Sequence, residues 1–139
     1  MNIYALGILE KNSQLLFLLR KNAKFFSGYY GLMGGRIEGN ESPSAALIRE
    51  AYEEIDIIIT EENLQFAHCL SFKNETDEKV LALVFKIIDW QGQPVNKEPD
   101  KCTTLAWFSL HNFPKNIIPR HKHIIEMLQQ SILYSELGW

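Results

Sequence analysis

Only two cysteines occur in the 139-residue chain, Cys69 and Cys102, with no Cys-x-x-Cys pair and no histidine at zinc-finger spacing. Neither a disulfide framework nor a structural zinc site is therefore expected, and a reducing compartment fits best. Low-complexity tracts, internal repeats and linkers are missing, which argues for one compact unit. No apolar run approaches the roughly 20 residues that a bilayer-spanning helix needs; Leu15-Leu16-Phe17-Leu18-Leu19 is much too short. The residues Met1-Asn2-Ile3-Tyr4 contain no basic stretch leading into an apolar one, so no export signal is expected. Basic charge is not in excess: 14 Lys plus Arg stand against 17 Asp plus Glu, a net charge of −3. Adhesion to a nucleic acid polymer or an anionic membrane, which needs a basic face, is not expected. A soluble, cytoplasmic protein is the consequence.

The chain has the size of one ordinary domain, residues 1–139, and its 46% apolar content suits a globular core. Ile3 to Leu9 and Gln14 to Leu19 are apolar runs of strand length around the turn cluster Lys11-Asn12-Ser13, which predicts a hairpin. A loop dense in glycine and aromatics follows, from Phe25 to Gly35. Ser42-Pro43 marks a helix start, because serine caps an orphan N–H and proline is pre-set for the first helical position. That helix should run to about Ile55 and stop at Asp56, a residue that tolerates the left-handed conformation. Leu64 to Phe72, Val80 to Ile88 and Leu105 to Phe108 are further strand candidates. Ile124, Ile125, Leu128 and Ile132 recur at helical spacing after Pro119, which predicts a C-terminal amphipathic helix. Two helices can then cover opposite faces of a mixed sheet.

The first helix carries two faces. At about 100° per residue, with Leu47 as zero, Leu47, Ile48, Ala51 and Ile55 form a core stripe, while Glu50, Glu53 and Glu54 lie together about 240–340° round. Like charges at this spacing destabilise a helix, and these three also sit in its C-terminal half, where the macrodipole disfavours negative charge. Glutamate-rich faces are commonly plain solvated surface. Two penalties of the same sign instead call for a positive partner, and hard cations with oxygen ligands, Mg²⁺ or Mn²⁺, fit best.

Around these acids the spacing reads Gly35-x5-Glu41-x7-Arg49-Glu50-Ala51-x-Glu53-Glu54-x-Asp56-Ile57. It resembles the signature box of the Nudix (MutT-type) hydrolase superfamily, and the six most diagnostic positions, Gly35, Glu41, Arg49, Glu50, Glu53 and Glu54, are all present. A chance match is on the order of 10⁻⁵ at average residue usage. Two positions depart from the pattern: Asp56 replaces the glycine that ends the box, and Met33 replaces the proline that often precedes the Gly-Gly pair. Asp56 should weaken the helix stop and Met33 should loosen the loop before the acids.

The resemblance implies an α/β fold, a Nudix-type α/β/α sandwich with a mixed β-sheet between helices. It implies that Glu50 and Glu54 are metal ligands, that Glu53 binds a further ion directly or through water, and that a carbonyl at Gly34 or Gly35 joins them. It makes Glu41 and Arg49 a structural ion pair. The reaction implied is Mg²⁺- or Mn²⁺-dependent hydrolysis, with more than one ion, of a nucleoside diphosphate linked to another group X. A nucleoside triphosphate, oxidised or deoxy forms included, cleaved to monophosphate and pyrophosphate is the first choice. An ADP-ribose or dinucleotide pyrophosphatase is the alternative within the family, and a non-catalytic nucleotide-sensing module the alternative of another class. The partner expected is the small nucleotide itself, on a monomer or homodimer.

A general base is also required. The family places it on a box glutamate, here Glu53 or Glu54, or on a later loop acid. Glu98 is the first such candidate, with Glu75, Asp77 and Glu78 behind it. Arg20, Lys21 and Lys24 could reach outer phosphates, though a solvated hairpin end explains them equally well. Of the aromatics Phe25, Phe26, Tyr29 and Tyr30, the two tyrosines are taken as candidate stacking partners for a base, against the commoner use in packing. Trp107-Phe108 reads as core. His121 and His123 diverge on a helix and read as surface histidines rather than a zinc pair.

Overall fold

The computed structural model describes residues 2–139. Its central element is β1 (Asn2–Lys11), whose middle is buried on both faces. Asn12 and Ser13, both at positive φ, form the two-residue turn that reverses it into β2 (Gln14–Arg20). Two short strands follow, β3 (Tyr30–Gly31) and β4 (Met33–Arg36), and then helix α1 (Pro43–Ile55). The chain continues through β5 (Leu64–Lys73), β6 (Lys79–Ile87), β7 (Cys102–Ser109), helix α2 (Pro119–Gln129) and β8 (Tyr134–Leu137).

The strands form one mixed eight-stranded sheet with the path β3-β2-β1-β6-β5-β8, in which β4 also pairs with β1 and β7 with β2. β1 runs parallel to β6 over Asn2 to Leu9 and antiparallel to β4, but meets β2 only at its end. Strand alternation splits its side chains between two cores. Ala5 and Leu9 join Leu47, Ala51 and Ile55 of α1. Leu6 and Ile8 join Ile124 and Ile125 of α2. The sheet is therefore sandwiched between the helices.

Several expectations are corrected. The second half of the segment from Phe25 to Gly35, read as loop, contains two strands, the second running on to Arg36, because its glycines allow close pairing with β1 and β2. Met33 is fully buried and faces Gly7 across the ladder, so it anchors this segment rather than loosening it. The C-terminal helix stops at Gln129, short of Ile132: Ser131 takes φ 57° and redirects the chain into β8, which pairs parallel to β5. β7 begins at Cys102, three residues before the expected Leu105, because its pairing with β2 reaches Arg20.

Candidate active site

Helix α1 starts and stops at the expected places. Ser42 Oγ accepts from the Ala45 N–H at 3.1 Å, Pro43 follows, and Asp56 takes the left-handed conformation at φ 59°. This fixes Arg49 opposite the loop that leaves β4. Arg49 Nε and Nη2 donate in parallel to the two Glu41 oxygens at 2.6 and 3.0 Å, while Nη1 reaches Glu50 at 3.1 Å and Glu53 at 3.2 Å. Nη2 also donates to the Arg36 carbonyl. A planar guanidinium with five donors can hold this many acceptors, and it ties the loop, through Glu41, to the acidic face of the helix. Glu41, hydrogen-bonded to Arg49, is held below the usual carboxylate range.

Glu50 and Glu54 turn inward, toward β4. Glu54 Oε1 accepts from the Gly34 N–H at 2.8 Å. A Cβ on Gly35 would stand 2.5 Å from Glu50 Oε1, and one on Gly34, at φ 132°, would collide with the Ala5 carbonyl oxygen. The two glycines therefore form a cradle that side chains would fill, and the backbone approaches the carboxylates closely. Burial, followed by the neighbouring Glu50 charge, pushes Glu54 well above the usual carboxylate range. Burial also raises Glu50, against the pull of Arg49. Among the described residues no three His, Cys, Asp or Glu groups are already gathered as a cation cage. The donor set nonetheless suits a hard cation: it is all oxygen, and it carries adjacent carboxylates whose repulsion a positive ion would relieve. Glu53, in contrast, points outward, about half exposed, and is bound by Arg49.

Two clefts meet at Arg20, Leu32 and Gly34. The smaller, about 270 Å³, is lined by Glu54, Glu98, Lys21 and Lys101, so Glu98 does share a wall with the acidic face of α1. The Glu98 loop is shaped by Asn96, whose Oδ1 accepts the Glu98 N–H at 3.1 Å, and Lys101 lies 3.8 Å from the carboxylate. The larger cleft, about 460 Å³, has an apolar wall including Leu70, Phe72, Val80 and Ile124, with Glu75 and Glu78 at its mouth. Asp77 pairs with Lys73 and lines neither. Tyr30 packs edge-on against Phe108 and Tyr29 against Phe26; neither tyrosine lines a cleft, whereas Phe25 and Phe26 line the larger one.

Sequence reasoning missed two cleft residues, Arg120 and His121. His121 is buried, not a surface histidine. The signal was present: His121 stands three, four and seven positions before Ile124, Ile125 and Leu128, on the apolar stripe of α2.

Comparison with known proteins agrees with this geometry. The NUDIX domain model matches residues 1–128. The chain belongs to the Nudix family and is a Nudix hydrolase. It is 31% identical over 123 residues to the ADP-ribose pyrophosphatase of Methanocaldococcus jannaschii, covering 88% of this chain and 70% of that protein. It is 27% identical to the 8-oxo-dGTP diphosphatase of Escherichia coli K12, covering 91% and 95%. A 27% match to the NAD-capped RNA hydrolase NudC of Pseudomonas putida covers 87% of this chain but only 41% of that longer protein. Among solved structures, a MutT NUDIX hydrolase from Burkholderia pseudomallei shares the fold with a TM-score of 0.82 at 24% identity, over 90% of this chain and 95% of that one. No helix among the described residues is long and apolar enough to cross a membrane.

Proposed function

We propose that the chain hydrolyses a nucleoside triphosphate to nucleoside monophosphate and pyrophosphate, with Mg²⁺ or Mn²⁺ held by Glu50 and Glu54 and a backbone carbonyl at Gly34 or Gly35. The observation that carries this is the half-buried Glu50–Glu54 pair set against Gly35 and Gly34, of which Glu54 lines a cleft that Glu98 also lines. Bound there, divalent ions would neutralise the diphosphate oxygens and lower the pKa of the attacking water. Glu98 accepts the proton of that water, being the loop acid that shares the smaller cleft with Glu54; Glu53 is engaged by Arg49 and keeps an indirect, charge-balancing part. Arg20, Lys21 and Lys101 attract the outer phosphates. The water oxygen bonds to phosphorus as the phosphoanhydride oxygen leaves with the pyrophosphate. The larger cleft offers one apolar wall beside its charged residues, which suits a single nucleoside with a phosphate tail better than a dinucleotide, whose second nucleoside would need an apolar wall of its own.

The test is a panel of nucleoside triphosphates, ADP-ribose, dinucleotides and nucleotide sugars with Mg²⁺. Pyrophosphate and monophosphate should appear from a triphosphate. Glu54→Gln should lose at least about a hundredfold in kcat while still folding, and Glu98→Gln should lose about 10²–10⁴-fold, the usual range for removing a general base. Turnover in Glu54→Gln equal to wild type would remove the reading, and preference for ADP-ribose would replace the substrate.

A further inference from the structure

The α1 side of the sheet is only partly covered. Helix α1 packs on β1 and β4, and a helix about 10 Å across cannot also lie over β6, β5 and β8, which continue outward from β1 at about 4.8 Å per strand. Register and strand alternation place Ile3, Leu81, Leu83, Phe66 and Tyr134 on that side: Ile3 faces Leu81, Leu83 faces Ala5 and Cys69, Cys69 faces Tyr134, and Phe66 faces Phe85. None of the five belongs to either core among the described residues, and Ile3, Phe66 and Tyr134 are 37%, 47% and 53% exposed. A sheet face that meets water carries polar side chains at such places. Here, between the two ends of the face, only Ser71 and Glu136 are polar. Four strands by eight residues make a plane of roughly 500 Å². Side-chain relief raises its accessible area toward the about 800 Å² per partner of a standard interface.

The two ends of the face differ in charge. At one, Lys73 and Lys79 stand opposite each other on β5 and β6 against the ring of Trp139, whose Nε1–H donates to the Ser71 carbonyl at 3.2 Å. Lys73 is paired with Asp77, and Lys79 has no ion-pair partner among the described residues. At the other end the 3₁₀ turn Glu61–Asn63 lies beside α1 and leads into β5; Glu61 and Glu62 are exposed there, again with no ion-pair partner among the described residues. A patch that binds its own copy meets the same residues turned about a twofold axis. An axis along the strands would set Lys79 against Lys79 and glutamates against glutamates, which like charges oppose. An axis across the strands reverses the second sheet, so that each lysine end meets the other copy's glutamates while the apolar residues stack about 10 Å apart. The acidic end and the net charge of −3 disfavour an anionic membrane as the cover.

We propose that two copies of the chain associate through this open sheet face, about a twofold axis lying across the strands along the Cys69–Leu83–Tyr134 row, with Lys79 of each copy opposite Glu61 and Glu62 of the other.

Sedimentation velocity on the whole chain between about 1 and 200 μM tests it, a range that spans the affinities of interfaces of this size. The wild-type chain should pass from one copy to two. Phe66→Glu, within the face, should weaken the dimer by at least about tenfold, as expected for a charge set among apolar contacts. Because that variant could fold less well, two further variants change only exposed charges: Lys79→Glu, and the pair Glu61→Lys with Glu62→Lys. Each should weaken self-association by about tenfold, and an equimolar mixture of the two should dimerise again, because the mixed dimer sets lysines opposite glutamates at both ends. A wild-type chain that stays monomeric throughout overturns the proposal, whether or not it pellets with lipid vesicles or binds another protein instead. So does a dimer that neither Phe66→Glu nor the charge variants weaken, or a mixture that does not reassociate.

Discussion

Arg49 binds Glu41 of the preceding loop together with Glu50 and Glu53 of α1, and that arrangement balances two of the three acidic side chains that share one short stretch of helix. Its charge matters less than its shape. A lysine would keep the charge but lose the parallel pair to Glu41 and the fixed distance between loop and helix. Arg49→Lys should therefore lower kcat by about tenfold or more and leave KM within about twofold, as expected when a group that orders the reacting end is disturbed while substrate binding is not. Steady-state kinetics on the best triphosphate check this; an unchanged kcat would show that the loop is held by something else. At the same scale, His121 contributes against acid stability. Its folded pKa of about 3 lies below the ordinary 6.5, so the unfolded chain takes up its proton first, and stability is lost as pH falls from 6.5 toward 3.

Asp56 shows how much one position decides for an element. The left-handed conformation at the end of α1 costs an aspartate more than a glycine, and its ion pair with Lys97, at 3.4 Å between two largely exposed groups, returns little. Asp56→Gly should raise stability by a few tenths to about 1 kcal/mol without changing activity, read by chemical denaturation; a loss of stability would show that the Lys97 contact matters more. The bounds of α1, with its Ser42 cap and Asp56 stop, were legible because they depend on neighbours in sequence. So were β1, β2, β5 and β6, as apolar runs. β3, β4 and β8 were not, because two to four residues gain strand character only from partners far along the chain, such as Leu18 for Gly31 and Cys69 for Tyr134. The site divided likewise. The acids on α1 follow from helical spacing, and the Glu41–Arg49 pair from the family pattern. That Glu98, rather than Glu75 or Glu78, would line the cleft of Glu54 depends on how the β6–β7 loop returns across the sheet.

Across the whole molecule, the sandwich brings the two cores together at β1, and the site lies where β4 leaves that strand, with α1 acids on one side and the α2-facing cleft on the other. The acids lie at the margin of one core and are costly to ionise. Because Glu50 and Glu54 are raised above 4.5, the folded chain holds more protons than the unfolded one in the window between 4.5 and their raised values. Metal-free stability should therefore fall as pH rises through that window, and Mg²⁺ should offset the fall at pH 8. Glu54→Gln should raise the metal-free Tm at pH 8 and abolish most of the Mg²⁺ effect; thermal scans at several pH values check both. The most direct measurement is a Mn²⁺ titration followed by calorimetry and by paramagnetic broadening of backbone amides. Binding should broaden Gly34, Gly35, Glu50 and Glu54 before any other residues and weaken by at least about tenfold in Glu54→Gln, as loss of a charged ligand requires. Broadening centred elsewhere, or equal affinity in wild type and variant, would contradict the account.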